Sequence, residues 1–270
     1  MYSASQHLGE VEIRHNAGEL EPVITGDFTT MDEYSRFKFG DGEAGGRYGR
    51  MLGDLVLNEP DELLSVGEVY VASAAYRVAP PAAASLLQPF AAAAGLAARS
   101  LGSDTVFTPF KVSKARMATG NYAGMSFEER SRTIQDDLAL PEDLDLEGRR
   151  VVMLDDIRVT GLREAALKQL LGNAGVEQTS FYYVLDVPNG KEFPQTEALI
   201  NIRAVKTVDD VLALAMRPNF IPNVRLCKFI LSQNIQEIER FYNTAPKDVV
   251  DTILHYIKAD DLETVVKTIP

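Results

Sequence analysis

The sequence predicts an α/β protein: a parallel twisted sheet flanked by helices, with an all-helical C-terminal appendage. Three observations carry that prediction. Short apolar runs at 68–74, 105–110, 151–154 and 179–186 alternate with helix-forming stretches, the pattern of strands joined by right-handed crossovers. One run, Val151-Val152-Met153-Leu154, leads directly into Asp155-Asp156, a short turn and a strong helix former. From Thr207 onward apolar residues recur at helical spacing with no strand between them.

The central stretch is the most informative. Val151 to Leu154 reads as a strand buried on both faces, too short for a core helix. The acidic pair comes where such a strand would end, and open α/β sheets bind ligands at the carboxyl ends of their strands. Backbone N–H groups of residues 160 to 163 would point out of the N-terminus of the following helix. That end carries unpaired donors and partial positive charge, which suits a phosphate. Gly161 permits close backbone approach. Asp155 and Asp156, ionised, accept hydrogen bonds only, so they suit sugar hydroxyls or a hydrated cation. A phosphorylated sugar satisfies both halves. A strand ending in Asp-Asp also occurs in nucleotide hydrolases and phospho-acceptor domains, but the chain has no Gly-x-x-x-x-Gly-Lys-Ser/Thr loop.

From Val151 to Gly161 the chain resembles the 5-phosphoribosyl-1-pyrophosphate (PRPP) motif of type I phosphoribosyltransferases: four apolar residues, two acidic, three variable, then Thr-Gly. It departs at Leu162 and Arg163, where that family has a small residue and then a hydroxyl. Arg163 either replaces the missing hydroxyl with a charged donor, worth about 1.5–3 kcal/mol, or is solvated. The resemblance implies a type I phosphoribosyltransferase-like fold and a Mg²⁺-dependent enzyme. It would transfer a phosphoribosyl group from PRPP to a nitrogenous, base-like acceptor, releasing pyrophosphate. Asp155 and Asp156 would hold the ribose hydroxyls. Arg158, Val159, Thr160, Gly161, Leu162 and Arg163 would form the phosphate turn. No residue is assigned as a metal ligand. The alternative is a non-catalytic PRPP or nucleotide sensor of the same fold, which the Leu162-Arg163 departure favours.

Bulk properties bound the reading. The length allows one sizeable core plus an appendage, or two domains. Net charge of −12 disfavours nucleic acid as a partner and means that a polyanion needs local cations, side chains or Mg²⁺. A single cysteine, Cys227, suits a reducing compartment. The first ten residues lack a signal pattern, and the Ala-rich run from Pro80 to Ala98 holds Gln88 and Pro89, so it reads as a buried helix and not a membrane span. A cytoplasmic location is expected. His7, His15 and His255 show no metal spacing.

Taken in order, residues 1–60 read as an N-terminal lead-in or hood. Val11 and Ile13, alternating with charged residues, suggest a short edge strand. Gly40, Gly42 and Gly45 satisfy a Gly-x-Gly-x-x-Gly pattern, but no apolar strand leads into it. A turn-rich or ligand-covering segment is the expectation there. The Tyr34–Gly42 segment also resembles phosphoribosyltransferase-like proteins of bacterial tellurium-resistance and stress operons.

Residues 61–205 read as the α/β core. After the strand at 68–74, Pro81 suits a first helical turn and Pro89 would kink or split the helix. In the resembled family the loop after this strand holds pyrophosphate, and Arg77 is the matching cation. Lys111, Lys114 and Arg116 form a basic cluster after the strand at 105–110. Lys114 and Arg116 are further candidates for pyrophosphate contact. Residues 118–125 read as a mobile loop before a capped helix start at Ser126. Gly124 to Arg130 resembles the competence-protein branch of the family, in which such a loop closes over PRPP. The acidic stretch 136–149 reads as a solvated linker. Ala198 to Ile202 suggests an edge strand. Residues 206–270 read as a helical hood or homodimer surface.

Overall fold

The computed structural model describes residues 5–16, 19–58, 63–65, 67–114 and 137–267. Arg116, the loop at 118–125 and the helix start at Ser126 lie outside them. In chain order the elements are β1 (Gln6–Asn16), β2 (Glu19–Ile24), α1 (Met31–Lys38), α2 (Gly42–Asp54), β3 (Glu68–Ser73), α3 (Leu87–Ser100), β4 (Val106–Pro109), β5 (Ser113–Lys114), β6 (Leu138–Ala139), β7 (Arg150–Arg158), α4 (Leu162–Asn173) and β8 (Gln178–Asp186). Six helices follow: α5 (Thr196–Asn201), α6 (Val208–Ala215), α7 (Val224–Leu231), α8 (Ile235–Thr244), α9 (Lys247–Ala259) and α10 (Leu262–Lys267).

The main sheet runs β2-β1-β8-β7-β3-β4, parallel throughout except for the β1–β2 hairpin. β7 sits inside it with both faces covered, which is why its sequence is a continuous apolar run. Val152 and Leu154 pack toward Tyr34, Phe37, Tyr48 and Phe90 of α1, α2 and α3. Val151 and Met153 pack on the other face with Leu167 and Leu171 of α4. A third core binds the C-terminal helices to one another, with Leu226, Cys227, Phe241 and Ile253 at its centre and Phe39 reaching into it. No helix among the described residues is long and apolar enough to cross a membrane.

Three sequence expectations change. β1 lies between β8 and β2, not at the edge, because the hairpin partner β2 covers its open side. Residues 196–201 form a helix, not an edge strand, with Ile200 turned into the main core. The glycine segment, expected to be turn-rich, is helical from Gly42 onward, and its glycines are sites of close packing. A Cβ on Gly42 would stand 1.9 Å from the Asn219 carbonyl oxygen, and one on Gly45 2.4 Å from Ser85 Oγ. Gly40 has φ +107° and its carbonyl accepts from the Ile221 amide at 2.9 Å. The segment after α1 is therefore the seam between the sheet core and the helical tail. The proline reading holds in part: a 3₁₀ turn at Ala82–Leu86 follows Pro81, and α3 starts at Leu87 with Pro89 in its first turn.

Candidate functional site

The two carboxylates lie within β7, not beyond it, since pairing with β8 continues through Asp155 opposite Tyr183 to Arg158 opposite Asp186. Consecutive strand residues face opposite sides of a sheet. Asp155 accordingly faces α4 and Asp156 faces α1. Both are buried, where an unpaired carboxylate would be strongly destabilising. Each is met by a cation on its own side.

On the α4 side, Arg163 Nη1 donates to Asp155 Oδ2 at 2.5 Å, and the Asp156 amide donates to Asp155 Oδ1 at 2.9 Å. Burial pushes the Asp155 carboxyl up to about 6, against the attraction of Arg163 and with the repulsion of Asp156. On the α1 side, the Lys38 ammonium donates to Asp156 Oδ2, and to Glu197 Oε1 at 2.9 Å. Arg225 of α7 donates to the same Glu197 oxygen at 2.9 Å. Lys38 above all, then Arg225, holds the Glu197 carboxyl well below the usual range although burial opposes it. The Tyr34 hydroxyl, fully buried and without a hydrogen-bond partner among the described residues, has its pKa raised by burial and then by the charges of Asp156 and Glu197.

The turn after β7 leaves backbone donors without acceptors. Gly161 takes the left-handed conformation at φ +74°, and α4 begins there with no side-chain cap. The first-turn N–H groups of a helix have no intrahelical acceptor, so Leu162 and Arg163 present theirs outward with those of Thr160 and Gly161. The turn is braced from below. Val187 N donates to the Arg158 carbonyl at 2.9 Å, and a Cβ on Gly190 would stand 2.1 Å from the Val159 carbonyl oxygen, so the following loop closes tightly on Val159. The Arg158 side chain forks onto Asp186 at 2.6 and 2.8 Å. Arg158 and Arg163 are thus each engaged by a carboxylate of the chain.

A cleft of about 600 Å³ opens beside this turn, between the carboxyl ends of β3 and β7 and helices α5 and α7. Six cations line it: Lys38, Arg77, Lys114, Arg163, Arg225 and Lys228. The carboxylates lining it are three, Asp156, Glu197 and Asp260. In a chain of net charge −12 this is a local reversal of sign that suits a polyanion. Arg77 and Lys114, expected from the sequence to contact pyrophosphate, both line this cleft. Burial lowers the Lys114 ammonium, and the positive charges of Arg163 and Lys228 lower it further. Lys228 is lowered by burial and by Arg225. The Arg77 loop is held on two sides. Lys111 lies 4.4 Å over the Tyr76 ring and donates to the Arg77 carbonyl at 2.5 Å. From the tail, the buried Asp260 carboxylate accepts from Ala79 N at 2.9 Å and Val78 N at 3.2 Å.

Lys38, Glu197, Arg225, Lys228 and Asp260 were not singled out in the sequence. One signal was available for Lys38: it stands between Phe37 and Phe39, which enter different cores, so the lysine between them has little access to solvent.

Magnesium, implied by the sequence resemblance, fits these residues poorly. It requires near-octahedral oxygen ligation and takes one or two carboxylates beside waters and substrate phosphates. Here Asp155 holds Arg163 and a backbone amide, Asp156 holds Lys38, and Glu197 holds Lys38 and Arg225. Among the described residues the one group with metal-ligand spacing is His7, Glu10 and Asp186, and both Asp186 oxygens already accept from Arg158.

A family model described as "PRTase ComF-like" matches residues 27–263. No curated protein matches the chain. Solved structures similar to it include a hypoxanthine-guanine phosphoribosyltransferase from Bacillus anthracis, at 18% identity over 54% of this chain and 68% of that one, TM-score 0.32. A hypoxanthine phosphoribosyltransferase from Staphylococcus aureus is 13% identical over 53% and 66%, TM-score 0.35. Another from Trypanosoma cruzi is 13% identical over 56% and 71%, TM-score 0.33.

Proposed function

Since the chain belongs to the ComF-like phosphoribosyltransferase family, we propose that the cleft at the carboxyl end of β7 binds PRPP and transfers its phosphoribosyl group to a nitrogenous acceptor. The observation that carries this reading is a juxtaposition. An uncapped helix N-terminus at Gly161 adjoins two buried carboxylates and opens beside a cleft in which cations outnumber carboxylates. Phosphate, sugar hydroxyls and pyrophosphate each meet the chemistry that suits them.

In this reading the N–H groups of residues 160–163 hold the 5-phosphate. Asp155 and Asp156 accept from the ribose hydroxyls and orient the ring. Arg77 and Lys114 receive the pyrophosphate as negative charge grows on it. A nitrogen lone pair of the acceptor forms the new bond to C1 as the bond from C1 to the pyrophosphate oxygen breaks, and the pyrophosphate leaves with that electron pair. A proton on the attacking nitrogen is released to solvent or a nearby base. The apolar wall of the cleft, with Phe39, Val224 and Phe229, suits a ring-shaped acceptor and keeps water from the electron-poor sugar.

A second reading, a PRPP sensor without turnover, is favoured by one observation: Arg163 and Lys38 already occupy the carboxylates that the sugar would use. Isothermal titration of PRPP into wild type and into Asp155→Asn/Asp156→Asn tests the shared site. Saturable binding that the double variant loses supports both readings; equal binding by the two folded proteins overturns the assignment of the pair. Pyrophosphate release with a panel of purine, pyrimidine and pyridine acceptors then separates transferase from sensor.

A further inference from the structure

We propose that Lys38 is a resident cation of this site, filling the place between the Asp156 and Glu197 carboxylates that a divalent ion would need. The cleft then binds its polyanionic ligand on side-chain cations, without magnesium. The proposal rests on the reading of the cleft as a PRPP site.

Lys38 is fixed where it stands. It is 2% exposed and ends α1, with its backbone carbonyl held by Asn223 Nδ2 of the tail at 3.2 Å. Phe37 before it enters the sheet core, and Phe39 after it enters the tail core and meets the Phe229 ring edge-on at 5.5 Å. These packings fix the side chain where it reaches the cleft. A buried ammonium needs anionic partners, and Asp156 and Glu197 supply them. A metal ion drawn to the same carboxylates would have to displace the lysine and leave it buried and unpaired. Arg225, on the same Glu197 oxygen as Lys38, and Arg163, on Asp155, oppose a divalent ion further.

The same arrangement supplies what magnesium supplies elsewhere to pyrophosphate chemistry. A metal ion neutralises phosphate oxygens that would otherwise meet carboxylates. Here the carboxylates are already neutralised. Arg77, Lys114 and Lys228 have no ion-pair partner among the described residues and line one cleft. Burial, Arg163 and Lys228 already disfavour the Lys114 ammonium, so a polyanion beside Lys114 relieves repulsion already present in the protein. The segment around Lys38, with its tightly packed glycines, thereby has a role as the support that delivers an ammonium under Asp156.

The test is isothermal titration of PRPP into wild type and Lys38→Met, each in EDTA and in magnesium. We expect the wild-type Kd to agree within about threefold between the two buffers. Lys38→Met removes the charge, keeps a similar chain length and uncovers Asp156 and Glu197. It should bind at least about tenfold more weakly in EDTA and recover when magnesium is added, since the ion can then take the vacated place. Wild-type binding that requires magnesium overturns the inference and leaves the PRPP reading intact. Binding in neither buffer overturns the PRPP reading itself. A folded Lys38→Met whose binding matches wild type in both buffers removes Lys38 from the role. If Lys38→Met does not fold, the two wild-type titrations still decide.

Discussion

Arg163 Nη1 lies 2.5 Å from Asp155 Oδ2, so the residue that departs from the PRPP motif turns back onto the motif's first carboxylate. The pair has a consequence in pH. Burial raises the Asp155 carboxyl from 3.8 to about 6, Arg163 restrains that rise and Asp156 adds to it. A carboxylate raised on folding holds its proton more tightly in the native state, so it contributes instability above about pH 6 that is relieved as pH falls toward 3.8. Only the ionised form is a pure acceptor for sugar hydroxyls. PRPP affinity should therefore fall as pH drops through about 6. In Arg163→Met the midpoint of that fall should move up, because the attraction that favours the ionised form is gone. Titrations on both proteins across this range check it, and an unmoved midpoint would separate Asp155 from the profile.

Glu197 behaves oppositely. Its carboxyl is held below its ordinary 4.5 by Lys38 first and also by Arg225, with burial opposing. A depressed carboxylate contributes stability that is fully present above the unfolded value and lost as pH falls through the folded one. Glu197→Gln should cost about 1.5–3 kcal/mol at neutral pH, the range for hydrogen bonds to charged groups. The gap between the two proteins should hold down to about pH 4.5 and shrink below it. Denaturant unfolding at a series of pH values measures the gap, and a gap that widens in acid would contradict the assignment.

The glycines of α2 offer a pair of substitutions with opposite signs. A Cβ on Gly42 would stand 1.9 Å from the Asn219 carbonyl oxygen, a backbone atom that cannot swing aside. Gly42→Ala should destabilise by about 1–3 kcal/mol or more, as overpacking does. A Cβ on Gly46, in the same helix, would meet only the flexible tip of Arg50 at 3.5 Å. Gly46→Ala should stabilise by about 0.5–1 kcal/mol through helix propensity. Thermal unfolding of the two variants reads both signs at once.

What the sequence disclosed and what it withheld follow from distance along the chain. β7, its acidic pair and the turn at Gly161 are contiguous, so their pattern is visible in one short window. The parallel sheet was legible for a similar reason, since each strand is an apolar run bounded by turn residues. The short run Ala198 to Ile202 was misread as a strand because four or five apolar residues do not distinguish strand from helix. The reading of the acidic pair lacked its partners. Lys38 and Asp156 are 118 positions apart, and Asp260 is 181 from the Ala79 amide that it binds. A charge on an amphipathic helix looks solvated until the tertiary fold places it. The helical tail, read only as a hood or dimer surface, contributes Arg225, Lys228 and Asp260 directly to the cleft.

That contribution of the tail can be tested at Asp260. Its carboxylate receives the Val78 and Ala79 amides, the two residues directly after Arg77. Neither amide has another acceptor within its own loop of the kind that a helix or sheet supplies, so the tail orders the segment that presents Arg77 to the cleft. Asp260→Ala leaves a buried donor unpaired, which costs about 1–3 kcal/mol. Global destabilisation alone would not identify the clamp, because Asp260 is also the buried residue that ends α9. Hydrogen exchange distinguishes the two effects. Loss of the clamp should speed exchange at Val78 and Ala79 by a larger factor than at the amides of β7, and PRPP affinity should fall as it does in Arg77→Met. Uniform acceleration across the chain would instead make Asp260 a cap of the tail helix with no hold on the loop.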